Sequence, residues 1–355
     1  MNRIELLNKL KTIQPALSSG EMVPILSHFI FYGLSVLAYN DRIAMSMPCK
    51  TDFTGALPGS MLLGLLESSG VEEVMLAKDG SNVVLSMAKA RIKLGMLPIE
   101  DLGNFKMPKT NEKSGIGKLK EIAAAMKGCM RSVTEEISSK GYTGITFIPD
   151  KDKLSIYSTN GTAMSFSFVE LKSGLTKRVI LSSDFCKQML ALYKPPEKDE
   201  KETSSFEVHD DYVLFKSGEA VLWGKLVEIE EPPNFESIMK IHFTTEHRKA
   251  LIKIPTNLKN VLDRAIIVVN DKKATVSVSI KDGILTMRSE SAQGVGTDVI
   301  PKLDHPDMKV IVNPTMVRVG CDEFDHMLIT SRSFIMTGKN SNDGYLISTS
   351  TEKSK

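Results

Sequence analysis

The sequence predicts an α+β fold in which three similar domains follow one another along the chain. Three segments combine an apolar strand-like stretch, a short polar corner and a second apolar stretch; they are Leu34–Met47, Leu154–Phe168 and Ile284–Ile300. Each follows an amphipathic helix candidate and precedes a shorter one, and a repeat this long indicates repeated domains rather than a solenoid. Strand candidates outnumber helix candidates and most connections are short hairpins, which favours antiparallel sheets over a doubly wound βαβ fold.

Length and composition are those of an ordinary globular protein. The 355 residues are enough for two or three domains, and 42% are hydrophobic and 25% charged. The formal net charge is only +2 and the pI is about 8.2. Bulk charge therefore does not indicate a nucleic-acid-binding protein, and any such signal has to be local.

The sequence gives no reason to expect a metal, a cofactor or a membrane span. Its four cysteines (Cys49, Cys129, Cys186 and Cys321) are far apart, so we expect mostly buried thiols without a zinc site or a disulfide. The charged N-terminus lacks the apolar core of a signal peptide, and no apolar run is long enough to span a bilayer. We therefore expect a soluble, intracellular protein.

The first domain is predicted to comprise residues 1–112. A helix over Ile4–Leu17 presents a leucine-rich stripe at helical spacing, and Ser18-Ser19-Gly20 ends it. The remaining elements are an apolar strand-like stretch, a short helix, a hairpin around residues 78–81 and a closing strand; they are Pro24–Tyr39, Met61–Leu66, Val74–Met87 and Ala90–Leu97.

The second and third domains are predicted to comprise residues 113–240 and 241–355. The second opens with helix Ile116–Val133, continues with strands around residues 150–153, and has a second helix over Ser183–Tyr193 with Ser182 or Ser183 as N-cap. The polar segment at residues 230–233 marks the next boundary. The third has helix Thr256–Ile266, strands around residues 280–283, a short helix beginning at Pro314 and two final strands. Its polar end, Ser348–Lys355, is expected to fray.

No catalytic motif is present in the sequence. The phosphate-loop, dinucleotide-binding, zinc-protease and nucleophile-elbow patterns are all missing. The six histidines have no suitable neighbour at metal-ligand or triad-like spacing. An enzyme is therefore the least supported class of function.

The opening helices carry the one local charge signal. At about 100° per residue, Lys120, Lys127 and Arg131 fall within about 40° of one another, on a face away from the apolar stripe. Such a face suits contact with a phosphate backbone without base recognition, although a solvated helix face is the more common explanation of such charges and is favoured for this helix taken alone. The first helix offers only Lys9 and Lys11, and the third only Lys259.

Over nearly its full length the chain resembles the bacterial-type DNA polymerase III β sliding clamps. The similarity is carried by LNKLKTIQPALSSGEMVPILSHFIF and LGMLPIEDLGNF in the first domain, YTGITF, LSIYSTNGTAM and LWGKLVEIEEPPNFESIM in the second, and NLKNVLDRAIIVV and GYLIS in the third. The resemblance implies three clamp domains per chain, and a homodimer that closes into a ring around duplex DNA with helices inside and sheets outside. It also implies a non-enzymatic processivity factor whose partners are the replicative polymerase, the clamp loader and other proteins that carry a clamp-binding motif.

The resemblance further implies a hydrophobic pocket for short partner peptides between the second and third domains. The matching positions are Tyr142, Thr159, Gly161, Met164, Pro233, Ile238, Leu346 and Ile347. Simple core packing is the alternative interpretation of each. The implied dimer contact places Ile92 and Leu94 of the first domain against Ile267 and Val268 of the other chain's third domain.

Three departures from the family pattern indicate a divergent member. Thr162-Ala163 replaces a basic pair after the corner glycine, and Ser348-Thr349-Ser350 replaces an apolar, proline-containing end. The first domain also lacks most of its opening strand. We expect the protein in the cytoplasm of a bacterium or of an infected bacterial cell, and the alternative function is a clamp-fold scaffold that binds proteins without acting in DNA synthesis.

Overall fold

The computed structural model describes residues 1–20, 23–103, 105, 107–108, 116–134, 144–197, 200–229, 231–271, 274–338 and 340–351. They form two compact units. Unit 1 comprises Met1–Ala123 and Val179–Val227, and unit 2 comprises Ala124–Arg178 and Glu228–Lys355. Each unit contains strands from two of the predicted domains, so the three domain boundaries stay a prediction.

Within the described residues, one order of elements occurs three times: a helix, four strands, a second helix and three strands. The first series is α1 (Arg3–Ile13), β1 (His28–Tyr32), β2 (Ser35–Tyr39), β3 (Ile43–Pro48), β4 (Thr54–Pro58), α2 (Gly59–Ser68), β5 (Met75–Asp79), β6 (Asn82–Met87) and β7 (Ala90–Gly95). The second is α3 (Leu119–Cys129), β8 (Ile145–Asp150), β9 (Lys153–Thr159), β10 (Ala163–Glu170), β11 (Val179–Leu181), α4 (Ser183–Leu192), β12 (Ser205–Val208), β13 (Tyr212–Ser217) and β14 (Ala220–Lys225).

Two short helices and a two-residue strand separate the second series from the third. They are α5 (Phe235–His242), α6 (Thr245–Lys249) and β15 (Ile252–Lys253). The third series is α7 (Leu258–Val269), β16 (Val276–Lys281), β17 (Ile284–Ser291), β18 (Gly294–Ile300), β19 (Met308–Val312), α8 (Pro314–Gly320), β20 (His326–Ile329), β21 (Ser333–Thr337) and β22 (Asp343–Ser348). In the described part of the chain, no helix is both long and apolar enough to cross a membrane.

Unit 1 contains two antiparallel sheets. The larger has the strand order β12-β13-β14-β3-β2-β1-β4, and the smaller has the order β5-β6-β7. Strands β14 and β3 are far apart in sequence but pair directly, with Leu222 opposite Met45. Helices α1 and α2 pack against each other through buried leucines, among them Leu6, Leu10 and Leu62.

Unit 2 repeats this plan with its own two antiparallel sheets. One runs β8-β9-β10-β22-β21-β20-β15 within the unit, and the other has the order β18-β17-β16-β19. Strands β10 and β22 pair across a long sequence separation, from Ala163 opposite Ile347 to Ser167 opposite Asp343. Helix α7 packs on β17, β18 and α8. The structure confirms the predicted α+β class with antiparallel sheets.

The polar corners predicted at the start of the repeats have the same hydrogen bonds in the first two series. The Oδ1 atom of Asn40 accepts from the backbone N–H groups of Arg42 and Ile43, at 3.2 and 3.0 Å. The Oδ1 atom of Asn160 accepts from those of Thr162 and Ala163, at 3.0 and 2.8 Å. An asparagine side chain that bonds to the backbone two residues ahead stabilises a tight turn, so local chemistry fixes both corners.

Both ends of the chain make backbone pairs outside the named strands. At the N-terminus, Asn2 forms a single bridge with Glu73 ahead of α1. At the C-terminus the expectation of fraying is wrong for the first residues, because Ser350 bridges to Ile311 in both directions, at 2.7 and 3.1 Å. Residues 352–355 lie outside the described residues.

The four cysteines are distributed as the sequence predicts. None forms a disulfide; Cys49, Cys129 and Cys186 are buried and Cys321 is half-buried. Burial raises the pKa of the Cys129 thiol to about 12, so that thiol stays protonated and unreactive at neutral pH.

The pairing of β10 with β22 depends on a glycine. Phe166 lies directly opposite Gly344, and its ring occupies the position that a Cβ atom of residue 344 would need. We expect Gly344→Ala to lower the free energy of unfolding by about 1–3 kcal/mol, because a side chain there forces the ring or the strand to move. Urea denaturation followed by far-ultraviolet circular dichroism measures this.

The matched control is Gly64→Ala. Gly64 lies on the exposed side of α2 and has no atom within 4 Å of its Cβ position, so alanine there should stabilise by up to about 1 kcal/mol. Equal urea midpoints for the two variants would contradict this account of Gly344.

Candidate functional site

Two of the predicted DNA-contacting residues are exposed on α3. Lys120 and Lys127 both point to solvent, and neither forms an ion pair within the described residues. The opposite side of the helix is apolar, with Ile122 and Met126 fully buried. Helix α3 therefore carries a basic face as its sequence periodicity predicts.

Arg131 does not belong to this exposed face. Its side chain is only 8% exposed and forms an ion pair with Glu323. The guanidinium carbon lies 4.7 Å from the ring centre of Phe324 and 5.6 Å from that of Tyr345. Within the described residues its buried Nε atom has no hydrogen-bond partner. The prediction that Arg131 contacts DNA is therefore replaced by a structural role, in which it anchors the end of α3 inside unit 2.

Lys9 and Lys11, the predicted cations of the first helix, are compensated by acids. The Nζ atom of Lys9 lies 2.7 Å from Glu5 and 3.8 Å from Glu219, and that of Lys11 lies 2.8 Å from Glu67. The hydrogen bond from Lys9 lowers the pKa of Glu5. Paired in this way, each lysine adds less positive field than its charge suggests.

Lys259, the predicted cation of the third helix, belongs to an ion-pair network between α7 and α8. Its Nζ atom lies 2.5 Å from Asp322, which also pairs with Arg318 at 2.7 Å. Arg318 reaches Asp263 at 2.6 Å as well. Hydrogen bonds from Lys259 and Arg318 lower the pKa of Asp322. The network joins the two helices and leaves little unpaired charge on that surface.

Three of the predicted pocket residues meet on one face of the large sheet in unit 2. Met164 of β10 lies opposite Leu346 of β22, and both belong to one apolar cluster against which Ile238 of α5 packs. Met164 and Leu346 are each only 4% exposed. The three residues form a largely closed apolar surface, of which Ile238 is the most accessible part.

Ile347 does not join this surface. It lies opposite Ala163 and packs in the second cluster of unit 2, with residues of α7 and β16. Neighbouring residues of a strand point to opposite faces, so Leu346 and Ile347 cannot line the same pocket wall. The prediction for Ile347 is corrected to a core position.

The remaining predicted pocket residues shape the corner and the entry to α5. The Oγ1 atom of Thr159 donates to the Ala163 carbonyl at 2.8 Å and accepts from Gly161 N at 3.1 Å. Gly161 has a φ of +84°, a left-handed conformation that favours glycine. Pro233 is half-buried, and its carbonyl accepts from Phe235 N at 3.1 Å. Tyr142 lies outside the described residues.

Helices α5 and α6 lie beside these residues and are not among the elements predicted from the sequence. Both have side-chain N-caps: Asn234 accepts from Ser237 N at 3.0 Å, and Thr244 accepts from His247 N at 3.2 Å. An Asn or Thr just before an apolar residue pattern is a recognised start signal for a helix. That signal is present at Asn234, which precedes FESIMKIH, but not at Thr244, because α6 (TEHRK) contains no apolar residue.

The predicted dimer residues lie at or beside two sheet edges. Ile92 and Leu94 are on β7, the edge strand of the smaller sheet of unit 1, where Ile92 is half-buried and Leu94 is buried. Ile267 of α7 is 75% exposed. Val268 packs over Gly296 of β18, which is the edge strand of the smaller sheet of unit 2.

Two further exposed apolar residues lie on β18 and are not among the predicted dimer residues. Val295 and Val299 are more than half exposed. They share the face of the strand opposite to the face that α7 covers through Gly296. Alternation of apolar and small or polar residues over 294–300 is the signal that could have found them.

Comparison with known proteins identifies the fold but no close relative. No protein-family model matches the chain, and no curated protein sequence matches it significantly. The β subunit of the DNA polymerase of Streptococcus pyogenes matches with a TM-score of 0.81 at 18% identity over 99% of each chain. Caulobacter crescentus pol III β matches with a TM-score of 0.82 at 15% identity over 98% of each.

A third match is the sliding clamp of Pseudomonas aeruginosa bound to griselimycin, with a TM-score of 0.79 at 12% identity over 98% of each chain. The chain has the sliding-clamp fold. This confirms the fold implied by the resemblance in the sequence, including the three successive series of elements. At such low identities, the likeness establishes the clamp fold and leaves activity and partners to be argued from this chain's own residues.

Lys127 is exposed, whereas Arg131 is largely buried. This difference leads to a stability test. We expect Arg131→Ala to lower the free energy of unfolding by about 1–2 kcal/mol, because it removes a largely buried cation from two aromatic rings and from Glu323. The matched variant Lys127→Ala removes an exposed cation from α3, which ends just before Arg131, and should change stability by less than about 0.5 kcal/mol. Urea denaturation of both variants measures their free energies of unfolding. Equal values would contradict the structural role of Arg131 and support its place on the exposed basic face.

Proposed function

We propose that this chain is a DNA sliding clamp, a processivity factor that encircles duplex DNA and tethers a replicative polymerase. The observation that supports this best is the clamp fold, which extends over 98–99% of both chains in each of the three structure matches. In this proposal the protein is not an enzyme and acts by holding its partners on DNA.

A closed ring requires two copies of the chain. Strands β7 and β18 are both sheet edges within the described residues, and uncovered edges invite pairing with another chain. An edge of unit 1 that meets an edge of unit 2 from a second copy makes a heterologous contact, which gives a ring if two such contacts close it. Ile92, Leu94, Ile267 and Val268 would lie at that contact.

The proposed DNA surface is weakly basic. Lys120 and Lys127 of α3 form no ion pair with any described residue, whereas Lys9, Lys11 and Lys259 share their charge with nearby acids. A ring that holds DNA by enclosure needs only weak phosphate contacts, because tight or base-specific contacts would prevent sliding. Arg131 takes no part in this surface.

The proposed partner site is the apolar surface of Met164, Ile238 and Leu346 beside the Thr159–Gly161 corner. A short peptide from the polymerase, the clamp loader or another clamp-binding protein would place an apolar side chain there. Since Met164 and Leu346 are nearly covered, the peptide has to rely on Ile238 and Pro233 or displace part of the α5 entry. Thr162 and residues Ser348–Ser350 depart from the family pattern, and they would therefore give this site a peptide specificity different from that of the family.

The dimer is tested by Ile267→Asp. Size-exclusion chromatography with light scattering should give a wild-type mass of two 39.2 kDa subunits and a monomeric variant, because the substitution puts a charge into an apolar contact. Leu34→Asp is the control, since Leu34 is 74% exposed at the β1–β2 turn and should leave the dimer intact. A monomeric wild-type protein at micromolar concentration would contradict the ring.

DNA contact is tested by the double variant Lys120→Ala/Lys127→Ala. Binding to a fluorescent duplex is measured at several salt concentrations, and the logarithm of the affinity is plotted against the logarithm of the salt concentration. The slope for the double variant should be shallower than that for the wild type, by up to about 0.9 per lost phosphate contact. Lys281→Ala, an exposed lysine at the end of β16, is the control and should leave the slope unchanged. An unchanged slope for the double variant would remove α3 from the DNA surface and favour the protein-binding scaffold.

A further inference from the structure

Unit 2 contains an open groove that none of the functions above uses. It has a volume of about 940 Å³ and lies between helices α5 and α6 and the sheet face of β8, β9 and β10. Met164, Ile238 and Leu346 do not line it, so it is distinct from the proposed partner site. The two sites lie on the same apolar cluster.

The floor of the groove is aromatic and closely packed. Tyr157 stacks on Phe235 with the ring centres 4.9 Å apart and the planes nearly parallel. Phe168 meets Tyr157 edge to face at 6.2 Å. Phe243 and Met239 complete the floor from the helical side. A preformed apolar floor can accept a large side chain without first ordering its own residues.

Two cations lie over this floor. The Nζ atom of Lys153 is 3.5 Å from the ring centre of Phe168, and the guanidinium carbon of Arg248 is 4.7 Å from that of Phe243. No carboxylate lies within 4.0 Å of either cation among the described residues. Burial, together with the charge of Arg248, lowers the pKa of Lys153. An anionic group placed between the two cations would relieve their mutual repulsion and form charge-assisted hydrogen bonds with both.

Three acids and a third cation, the exposed Lys240, also line the groove, and the acids limit what can bind. Asp150, Glu236 and Glu246 are exposed and would repel a chain of phosphates. A peptide with a single carboxylate between the cations, and neutral or basic residues toward the acids, matches this mixed charge. The charge pattern therefore disfavours a nucleic acid and favours a peptide.

We propose that this groove is a second docking site, which binds a short linear peptide of a partner protein in which an acidic residue lies beside an aromatic or large aliphatic residue. The apolar side chain rests on Ile148 and Phe168, which are half-buried and line the groove, and the carboxylate lies between Lys153 and Arg248. The site does not depend on DNA binding or on ring closure. It gives this chain a way to recognise a partner through electrostatics as well as through apolar contact.

The test is a selection of random ten-residue linear peptides displayed on phage against the immobilised full-length protein. Bound phage are depleted on the double variant Lys153→Met/Arg248→Met, which keeps the apolar stems of both side chains and removes the charges. We expect enriched peptides to carry an aspartate or glutamate next to an aromatic or large aliphatic residue. An enriched peptide and its amide counterpart, with Asn or Gln in place of the acid, are then measured by fluorescence anisotropy.

The expected result is a loss of affinity of about tenfold or more for the double variant, and likewise for the amide peptide with the wild-type protein. Lys249→Met is the matched control, because Lys249 neighbours Arg248 in α6 but does not line the groove; it should bind as wild type does. Lys120→Ala/Lys127→Ala should also bind as wild type does, which separates this site from the proposed clamp function. Thermal melting checks that every variant is folded.

Three results would overturn the proposal. One is a selection that yields no peptide preferring the wild-type protein over the double variant. Another is an amide peptide that binds within twofold of its acidic parent. The third is a labelled twelve-nucleotide single strand that binds the wild-type protein and not the double variant, which would make the groove a nucleic-acid site instead.

Discussion

The pairing of β10 with β22 is the constraint on which the organisation of unit 2 depends. Its register places Met164 and Leu346 on one face and Ala163 and Ile347 on the other, and so builds one apolar cluster under α5 and a second under α7. A slip of one residue would exchange the two faces and dissolve both clusters. Phe166 over Gly344 holds the register, because only a residue without a side chain leaves room for the ring.

Local elements could be predicted from the sequence because their signals are local. The helices around Leu6, Ile122 and Val261 have apolar residues at helical spacing, and the side chain of Ser182, one of the two predicted N-cap candidates, caps α4. The pairing of β3 with β14, by contrast, joins residues that no local pattern connects. Helix α5 begins directly after the polar segment at residues 230–233, where Asn234 marks its start, whereas the short polar helix α6 has only its N-cap, Thr244, as a local signal.

Helical periodicity alone does not predict the long-range contacts of the site residues. The angular spacing on α3 places Lys127 and Arg131 together, but it contains no information about Glu323 and Phe324, which meet Arg131 from far along the chain. Strand parity, however, could have separated Leu346 from Ile347 without a structure, because neighbouring strand residues never share a face. The groove under α6 required the fold itself, since Lys153 and Arg248 approach each other only once β9 and α6 are assembled.

The three series of elements do not coincide with the two compact units of the structure. The second series of elements is divided between the two compact units, so a gene fragment that ends after residue 240 would leave β10 as a long, uncovered edge. Such a fragment would be prone to aggregate rather than to fold. A single repeat is therefore not a self-contained module, because cutting it out of the chain exposes a strand edge.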